Sequence, residues 1–174
     1  MQLPNRRILP QPLTMHTEFR KARLPQELRS LVLFDHKAFA QYPADWFDQE
    51  DWKTYDPWWL IVNRRKVGCC AFAPYGNFQE ELEEVGPPPL RASLYIVTTG
   101  ILPAWRRLGF GTLLKCWQIA YARRHGFARI LTNTRKSNQA MIRLNRKFGF
   151  QVIRSTPNYY ENPREPTLVM ELRL

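Results

Sequence analysis

The sequence predicts an α/β fold with a partly parallel sheet. In the second half of the chain, segments rich in β-branched residues alternate with segments whose apolar residues recur at helical spacing. A strand, a helix and a strand in succession place two parallel strands in one sheet, with the helix packed on its face. The elements predicted there are residues 93–102 (strand), 109–125 (helix), 128–134 (strand), 138–148 (helix) and 151–154 (strand).

Glycine and proline mark the ends of these elements. Pro103 follows the first strand, and Gly126 and Gly149 stand where a helix C-terminus favours glycine. Ser137 or Asn138 is suited to cap the second helix. The other predicted elements are a strand at 17–23, a helix that begins near Pro25, a short helix at 43–52, a hairpin of strands 58–62 and 67–73, a loop at 76–89 and a last strand at 167–174.

Length and composition restrict the class of protein. The 174 residues fit one domain; we expect residues 1–15 to form a flexible N-terminal lead-in and residues 16–174 to form that domain. A hydrophobic content of 44% excludes a fully disordered chain, and no apolar run approaches the roughly 18 residues of a membrane span. The N-terminus has no apolar segment typical of a secretory signal, and three cysteines do not make a disulfide framework. We therefore expect a cytoplasmic protein that does not bind membranes.

The positive charge is concentrated in one segment. The net charge is +11, yet residues 85–160 contain 13 basic residues and no Asp or Glu. The remainder of the chain has 13 basic and 15 acidic residues. A segment of this kind favours a polyanionic partner, either nucleic acid or a phosphate-rich coenzyme. Composition alone leaves both open.

The sharpest motif is Arg106-Arg107-Leu108-Gly109-Phe110-Gly111, between a predicted strand and a predicted helix. Two glycines at a helix N-terminus let a ligand approach the backbone, and the free N–H groups there bind phosphate. The alternative is a tight strand-to-helix turn with no ligand. A dinucleotide-binding fingerprint is excluded because Leu114 stands where the third glycine belongs, and no Gly-Lys-Ser/Thr follows to make a P-loop.

A second motif lies one predicted strand further on. It reads Asn138-x-x-Met141-x-x-Leu144-Asn145-x-x-x-Gly149-Phe150. Together the two motifs, within residues 92–152, resemble the GNAT superfamily of acetyl-CoA-dependent N-acetyltransferases. That resemblance implies a mixed, mostly antiparallel twisted sheet with a splayed central strand pair and helices on both faces.

The resemblance also implies a site for acetyl-CoA as co-substrate, without a metal. The pantetheine arm would pair with the splayed strand, and an amide near Ile101 would polarise the thioester carbonyl as a catalytic group. Asn138 would contact the pantetheine or the strand bulge. The pyrophosphate would lie on backbone N–H groups at the start of the following helix. The residues implied in coenzyme binding are Thr99, Gly100, Ile101, Arg106, Arg107, Leu108, Gly109, Phe110, Gly111, Thr112, Asn138 and Asn145.

The catalytic acid and base depart from the family pattern. Many members have a tyrosine at the position of Asn145, where it protonates the leaving thiolate; asparagine donates a hydrogen bond but releases no proton. Tyr159 or Tyr160, in a stretch that resembles ribosomal-protein N-terminal acetyltransferases, is an alternative acid or simply a packed aromatic. The usual positions of a glutamate base read Tyr95 and Asn133. A carboxylate base must come from residues 35–56, 80–84 or 161, or a water chain must serve.

The acceptor is expected near residues 35–59, which hold six carboxylates among many aromatic residues. Carboxylates beside aromatic faces suit a cationic amine, and the predicted substrate-binding residues are Trp46, Asp48, Trp52 and Asn133. The alternative is a solvated acidic helix face above core aromatics. At pH 7, deprotonating a lysine costs roughly 4–5 kcal/mol, whereas an α-amine with a pKa of about 8 costs about 1 kcal/mol. A site without a strong base therefore favours α-amines.

These observations predict an N-acetyltransferase that transfers acetyl from acetyl-CoA to a primary amine, either a small cationic amine or a protein N-terminus, by direct attack in a ternary complex. We expect a monomer or homodimer that does not bind nucleic acid. Two alternatives stay open: a basic nucleic-acid-binding module, and a GNAT-like protein that binds acyl-CoA without efficient turnover.

Overall fold

The computed structural model describes residues 15–74 and 86–174. The helices are α1 (Leu28–Ala38), α2 (Gln49–Thr54), α3 (Phe110–Arg124) and α4 (Gln139–Lys147), with short 3₁₀ turns at Pro43–Asp45, Leu90–Ala92 and Pro103–Trp105. The strands are β1 (Thr17–Lys21), β2 (Asp56–Val62), β3 (Arg65–Ala73), β4 (Ser93–Ile101), β5 (Arg129–Arg135), β6 (Gln151–Glu161) and β7 (Arg164–Arg173). Most of the predicted lead-in and residues 76–85 of the predicted loop lie outside the described residues.

One seven-stranded sheet organises the described residues, in the order β1-β2-β3-β4-β5-β7-β6. β4 and β5 are parallel, and every other neighbouring pair is antiparallel. This confirms the mixed, mostly antiparallel sheet. Within the described residues, no helix has the length and apolar character that crossing a membrane requires.

The two central strands separate part-way along their length. Their pairing runs from Ser93 opposite Arg129 to Ile96 opposite Thr132 and then stops, although both strands continue. A shift in the β3–β4 register lies at this point, because Ala71 faces Thr98 while Phe72 faces Ile96. A bulge of this kind bends its strand and ends local pairing. The predicted splayed pair is confirmed, and it leaves a gap between the ends of β4 and β5.

Helices cover both faces of the sheet. α1 and α2 pack on one face around the buried Leu31, Trp52 and Trp59, whereas α3 packs on the other face around Leu60, Ile96 and Leu114. The fit of α1 on β4 is close at Gly100, where an added Cβ would lie 3.1 Å from the ring of Phe39. α1 is therefore held directly over the splayed end of β4.

Two predicted elements differ from the structure. The predicted helix at 43–52 is divided into the 3₁₀ turn Pro43–Asp45 and α2, because Asp48 caps α2 and has extended backbone. The predicted strand at 151–154 continues to Glu161 as β6 and forms a hairpin with β7. The ladder is irregular between Thr156 and Tyr160, and Asn158 has a φ of 53°. This irregularity hides the alternating pattern on which strand prediction relies.

Candidate acetyl-transfer site

A cavity of about 510 Å³ opens where β4 and β5 separate. Its base consists of both splayed strands, including Tyr95, Val97, Thr99 and Asn133. α4 contributes Asn138 and Met141, and the β6–β7 hairpin contributes Tyr159, Tyr160 and Glu161. The opposite wall is formed by residues of α1 and of the segment that links it to β2, namely Asp35, Phe39, Tyr42, Ala44, Asp45, Phe47 and Tyr55.

A tyrosine and an asparagine are joined at the base of the cavity. The Tyr95 hydroxyl donates to Asn133 Oδ1 at 2.5 Å, and Asn133 Nδ2 donates to Thr167 Oγ1 at 3.3 Å. Tyr95 is 5% exposed. Asn133, predicted from the sequence as a substrate-binding residue, does line the cavity. Tyr95 stands at a position where a glutamate base is usual, and it adds a hydroxyl group to the base of the cavity.

Arg135 joins the two walls of the cavity at the end of β5. Its guanidinium donates to both carboxylate oxygens of Asp45, at 2.7 and 2.9 Å, and to Glu165 Oε1 at 2.8 Å. The same group lies between two aromatic faces, 4.4 Å from the ring centre of Tyr42 and 4.1 Å from that of Tyr160. Bidentate pairing and stacking of this kind are specific to arginine. We call these five residues the Arg135 clasp.

Asp35 is a buried carboxylate on the cavity wall. It is 2% exposed, and its Oδ2 accepts a hydrogen bond from the backbone N–H of Phe47 at 2.9 Å. Burial raises the pKa of Asp35 to about 6, against the opposing effect of that hydrogen bond. A carboxylate with a pKa near neutrality is suited to accept a proton.

The other acidic residues named as possible bases are less suited. Asp45 is paired with Arg135, and Asp48 is committed to capping α2. Asp56 pairs with Lys21, and Glu50 pairs with Lys53 on the surface. Glu161 lines the cavity but is exposed. Residues 80–84 lie outside the described residues.

The predicted phosphate-binding turn has the geometry of an open helix N-terminus. Gly109 precedes α3 with a φ of 88°, and Arg107 has a φ of 62°. The first backbone bond into the helix runs from Leu113 N–H to Gly109 O, so the N–H groups of Phe110, Gly111 and Thr112 precede it. Leu108 is 60% exposed, and the nearest atom to a Cβ built on Gly111 is Leu144 Cδ2, at 3.6 Å. The turn is accessible to a ligand.

Arg106 connects elements through its side chain. Its Nε donates to Ile101 O at 3.0 Å, and its Nη2 donates to Ala38 O. The guanidinium therefore ties the end of β4 to the end of α1. This contact fixes the splayed strand, and a direct role of Arg106 in coenzyme binding stays a prediction.

The remaining predicted coenzyme residues surround the gap. Thr99 Oγ1 accepts from Gln118 Nε2 at 2.9 Å, and Asn138 caps α4 by accepting from Met141 N–H at 3.1 Å. Thr99 and Asn138 both line the cavity. Asn145 is fully buried outside the cavity lining, with Nδ2 3.5 Å from Met170 Sδ. Its Oδ1 has no hydrogen-bond partner among the described residues.

Three of the predicted substrate-binding residues have structural contacts instead. Trp46 donates its indole N–H to Phe39 O at 2.9 Å and stacks on His36. Asp48 forms a capping box with Asp51 on α2, and Trp52 is 1% exposed in the core. None of the three lines the cavity. The same segment supplies other residues to it, and Asp35 and Phe39 are one helical turn apart, a spacing visible in the sequence.

The two predicted tyrosines of β6 have different surroundings. Both line the cavity and contact each other edge to face, with ring centres 4.9 Å apart. Tyr159 is 40% exposed, whereas burial raises the pKa of Tyr160 above its usual value. Tyr160 is thus held protonated, as a general acid must be.

The family is decided by sequence comparison. The model of the acetyltransferase (GNAT) family matches residues 25–150, which include both motifs and the α1–α2 wall. The chain belongs to this family. The resemblance inferred from the two motifs is confirmed, and the match extends it toward the N-terminus by two strands and two helices.

Two curated relatives match a shorter part of this GNAT chain. N-alpha-acetyltransferase 50 of Danio rerio is 38% identical over 69 residues, which are 39% of this chain and 41% of the relative. Probable N-acetyltransferase san of Drosophila melanogaster is 35% identical over 69 residues, which are 39% of this chain and 38% of the relative. The matched segment spans about two fifths of each relative's length.

Solved structures share the fold over most of both chains. The ribosomal-protein-S18-alanine N-acetyltransferase from Escherichia coli has a TM-score of 0.72 at 18% identity, covering 91% of this chain and 94% of that one. Arabidopsis thaliana Naa50, in complex with the bisubstrate analogue CoA-Ac-MVNAL, has a TM-score of 0.72 at 21% identity, covering 91% and 99%. At these identities the likeness establishes the GNAT fold.

Proposed function

We propose that this protein is an N-acetyltransferase that transfers acetyl from acetyl-CoA to the α-amine of a protein or peptide. The observation that carries the proposal is the cavity in the gap between β4 and β5, walled by aromatic residues and a buried carboxylate. The open N-terminus of α3 follows β4 directly in the chain. Backbone groups for a phosphate and a pocket for a cationic amine are therefore positioned by the same strand.

Acetyl-CoA fits the residues around the gap. The N–H groups of Phe110, Gly111 and Thr112, which precede the first backbone bond into α3 and lie at the positive end of its dipole, would hold the pyrophosphate. Backbone groups of Thr99, Gly100 and Ile101 on the unpaired part of β4 would hold the pantetheine arm. Asn145, also predicted as a coenzyme residue, is buried outside the cavity lining, so we assign it no contact with the pantetheine arm. Once bound, acetyl-CoA supplies the thioester whose carbonyl carbon receives the amine.

The distribution of the basic residues supports a phosphate-bearing coenzyme rather than a nucleic acid as the ligand. Two of the basic residues between 85 and 160, Arg129 and Arg135, are buried and paired with carboxylates from other parts of the chain. Their charges are thus satisfied inside the protein and add little to an exposed surface for a polyanion. Part of the remaining charge would offset the phosphates of a coenzyme.

The acceptor is proposed to be an α-amine for two reasons. The cavity offers a carboxylate with a pKa of about 6, far below that of a lysine side chain. One of the similar proteins is named an N-alpha-acetyltransferase, a second is named a ribosomal-protein-S18-alanine N-acetyltransferase, and a third is in complex with the bisubstrate analogue CoA-Ac-MVNAL. In this chain, Tyr42, Phe47 and Tyr55 would pack against the first residues of the acceptor.

Rate acceleration is proposed to come from position and from one backbone contact. The cavity holds the amine beside the splayed strand, so attack takes place within one complex. The Ile101 amide would stabilise the negative charge that develops on the carbonyl oxygen. Tyr160, protonated and at the cavity wall, is the better-placed acid for the leaving thiolate, with Tyr159 as the alternative. Asn145 releases no proton and could only donate a hydrogen bond.

Location and assembly are part of the same proposal. We infer a cytoplasmic enzyme, because its cysteines do not form a disulfide framework. We infer a single catalytic domain that includes residues 16–174 and acts as a monomer or homodimer.

The first experiment measures thermal stabilisation by acetyl-CoA, followed by thiol release in the presence of a panel of amines. We expect stabilisation at millimolar acetyl-CoA and thiol release with peptides that have a free α-amine. Stabilisation without turnover on any amine would indicate an acyl-CoA-binding protein. No stabilisation would contradict both coenzyme functions, and salt-sensitive binding of an oligonucleotide would then favour the nucleic-acid alternative.

A further inference from the structure

We propose that Asp35 binds the ammonium group of the acceptor and removes the proton that must leave before attack. This inference rests on the proposed function and names the base that the acid-free coenzyme segment lacks. Among the cavity carboxylates, Asp45 is paired with Arg135 and Glu161 is exposed. Asp35 is buried, and no described cation pairs with it.

The position of Asp35 leaves one of its oxygens available. Oδ2 accepts the Phe47 N–H, whereas Oδ1 has no hydrogen-bond partner among the described residues. That N–H fixes the carboxylate without neutralising its charge. An isolated buried carboxylate is costly unless a cation or a proton joins it. An ammonium group in the cavity would supply that cation.

The charges around Asp35 are consistent with a proton acceptor. Burial raises its pKa to about 6, and the negative charges of Asp45 and Asp51 act in the same direction. The titratable groups that surround it are Asp45 from the 3₁₀ turn, Asp51 from α2, Cys69 from β3 and, around the cavity, Tyr42, Tyr55, Tyr95, Tyr160 and Glu161. The cavity also contains the Arg135 guanidinium, which is paired with Asp45 and Glu165. No cation is among the groups that shift the pKa of Asp35.

The raised pKa brings the α-amine within reach of Asp35. Proton transfer from an α-ammonium with a pKa of about 8 to Asp35 is unfavourable by about a hundredfold, against about ten-thousandfold for an ordinary exposed aspartate. Transfer from a lysine ammonium, with a pKa of about 10.4, is unfavourable by more than ten-thousandfold even to Asp35. The preference for chain N-termini over lysine side chains comes from the pKa values of the amines, and it would hold for any base of this strength.

The proposed step balances in protons and electron pairs. The ammonium gives one proton to Asp35, and the nitrogen lone pair forms the bond to the carbonyl carbon. The carbon–sulfur bond of acetyl-CoA breaks, and the second nitrogen proton passes to the departing sulfur. Asp35 then releases its proton to solvent, so the products are an amide, free thiol and one proton.

The test compares Asp35→Asn with Glu50→Gln, which removes one negative charge from the surface of α2. We expect Asp35→Asn to lower kcat/KM at pH 7 by at least about a hundredfold. It should also abolish the acidic limb near pH 6 and leave acetyl-CoA affinity unchanged. Glu50→Gln should change none of these. A loss below threefold, or an acidic limb that persists in Asp35→Asn, would overturn the inference.

Binding supplies a readout that does not depend on turnover. A peptide with a free α-amine should lower the pKa of Asp35, whereas the same peptide with an acetylated N-terminus should not. Carboxyl ¹³C NMR measures this pKa. Asp35→Asn should weaken binding of the free peptide by about tenfold and leave that of the acetylated peptide unchanged. Equal effects on both peptides would contradict the role of Asp35.

The two proposals fail in different ways. If the wild-type protein turns over no amine, the proposed function fails whatever Asp35 does. If the wild type is active and Glu161→Gln, rather than Asp35→Asn, removes the acidic limb, the enzyme stands and Asp35 is not its base. Asparagine keeps the oxygen that accepts the Phe47 N–H, so the variant should fold, and thermal stabilisation by acetyl-CoA checks that it does.

Discussion

The Arg135 guanidinium meets the Asp45 carboxylate through two parallel hydrogen bonds, from Nε at 2.7 Å and from Nη2 at 2.9 Å. The two residues are 90 positions apart in the chain. Arg135 ends β5, and Asp45 ends the 3₁₀ turn after α1. With Glu165 on the other side of the guanidinium, one arginine holds both walls of the cavity.

Replacing Arg135 should loosen both walls. Arg135→Ala leaves Asp45 and Glu165 without their cation, and we expect the free energy of unfolding to fall by about 3 kcal/mol. Arg135→Lys keeps the charge but loses the bidentate bond and the stacking between Tyr42 and Tyr160. We expect this milder variant to raise the KM for peptide about tenfold, with acetyl-CoA affinity unchanged, as steady-state kinetics would measure.

The control for Arg135 is Arg91→Ala. Arg91 belongs to the same basic segment but is exposed. The Arg91→Ala variant should have a free energy of unfolding and a KM for peptide close to those of the wild type. A rise in the KM for acetyl-CoA alone in Arg135→Lys would mean that the clasp supports the coenzyme site rather than the acceptor walls.

The stability of the protein should depend on the protonation of Asp35. Burial raises its pKa from the usual 3.8 to about 6 in the folded state, so folding favours the protonated form. The resulting stabilisation is fully present below pH 4 and is lost as the pH rises through 6. As the pH rises from 4 to 8, the free energy of unfolding of Asp35→Asn should therefore increase by about 3 kcal/mol relative to that of the wild type.

Urea unfolding of wild type, Asp35→Asn and Glu50→Gln at several pH values would measure this difference. Glu50 is exposed, and its variant should follow the wild-type pH dependence. A wild type and Asp35→Asn that respond in parallel between pH 4 and 8 would show that the Asp35 pKa is not raised.

Tyr95→Phe tests the pair at the base of the cavity. The change removes the hydroxyl that donates to Asn133 Oδ1 and keeps the buried ring. We expect kcat to fall by at least about tenfold, because Asn133 loses the bond that orients it beside the amine. Acetyl-CoA affinity, measured by calorimetry, should stay within about threefold. A variant that loses coenzyme affinity instead would assign the pair to the other substrate.

Two substitutions of Gly111 test the proposed phosphate site at the N-terminus of α3. Its added Cβ would meet Leu144 Cδ2 at 3.6 Å, an ordinary contact, so Gly111→Ala should fold and keep acetyl-CoA affinity within a few-fold. Gly111→Trp places an indole beside the first N–H groups of the helix, and we expect at least tenfold weaker coenzyme binding. Equal affinity in both variants, by calorimetry, would mean that the turn is only structural.

Local pattern predicted the elements well. The helical spacing and the glycines around α3 and α4 are properties of contiguous sequence, and Asn138 does cap α4. β6 was predicted too short because its irregular ladder around Asn158 depends on pairing with β7, which a local pattern does not contain. The gap between β4 and β5 followed from the family resemblance rather than from any residue spacing.

The sequence predicted which segment forms one wall of the cavity, but not which of its residues line it. Trp46 and Trp52 have the residue type expected of a binding site, yet Trp52 belongs to the core and Trp46 to a contact with His36. Which face of α1 meets the cavity is set by its packing over Gly100. The role of Asp45 depends on Arg135, and no sequence spacing relates residues so far apart.

The proposed activity of this GNAT chain is the acetylation of α-amines with acetyl-CoA. Mass spectrometry of a peptide that has both a free N-terminus and an internal lysine, incubated with the protein and acetyl-CoA, tests it most directly. We predict one acetyl group on the α-nitrogen, formed in step with free thiol and formed more slowly by Gly111→Trp at limiting acetyl-CoA. A peptide that stays unmodified, or is acetylated only on its lysine, would contradict the account.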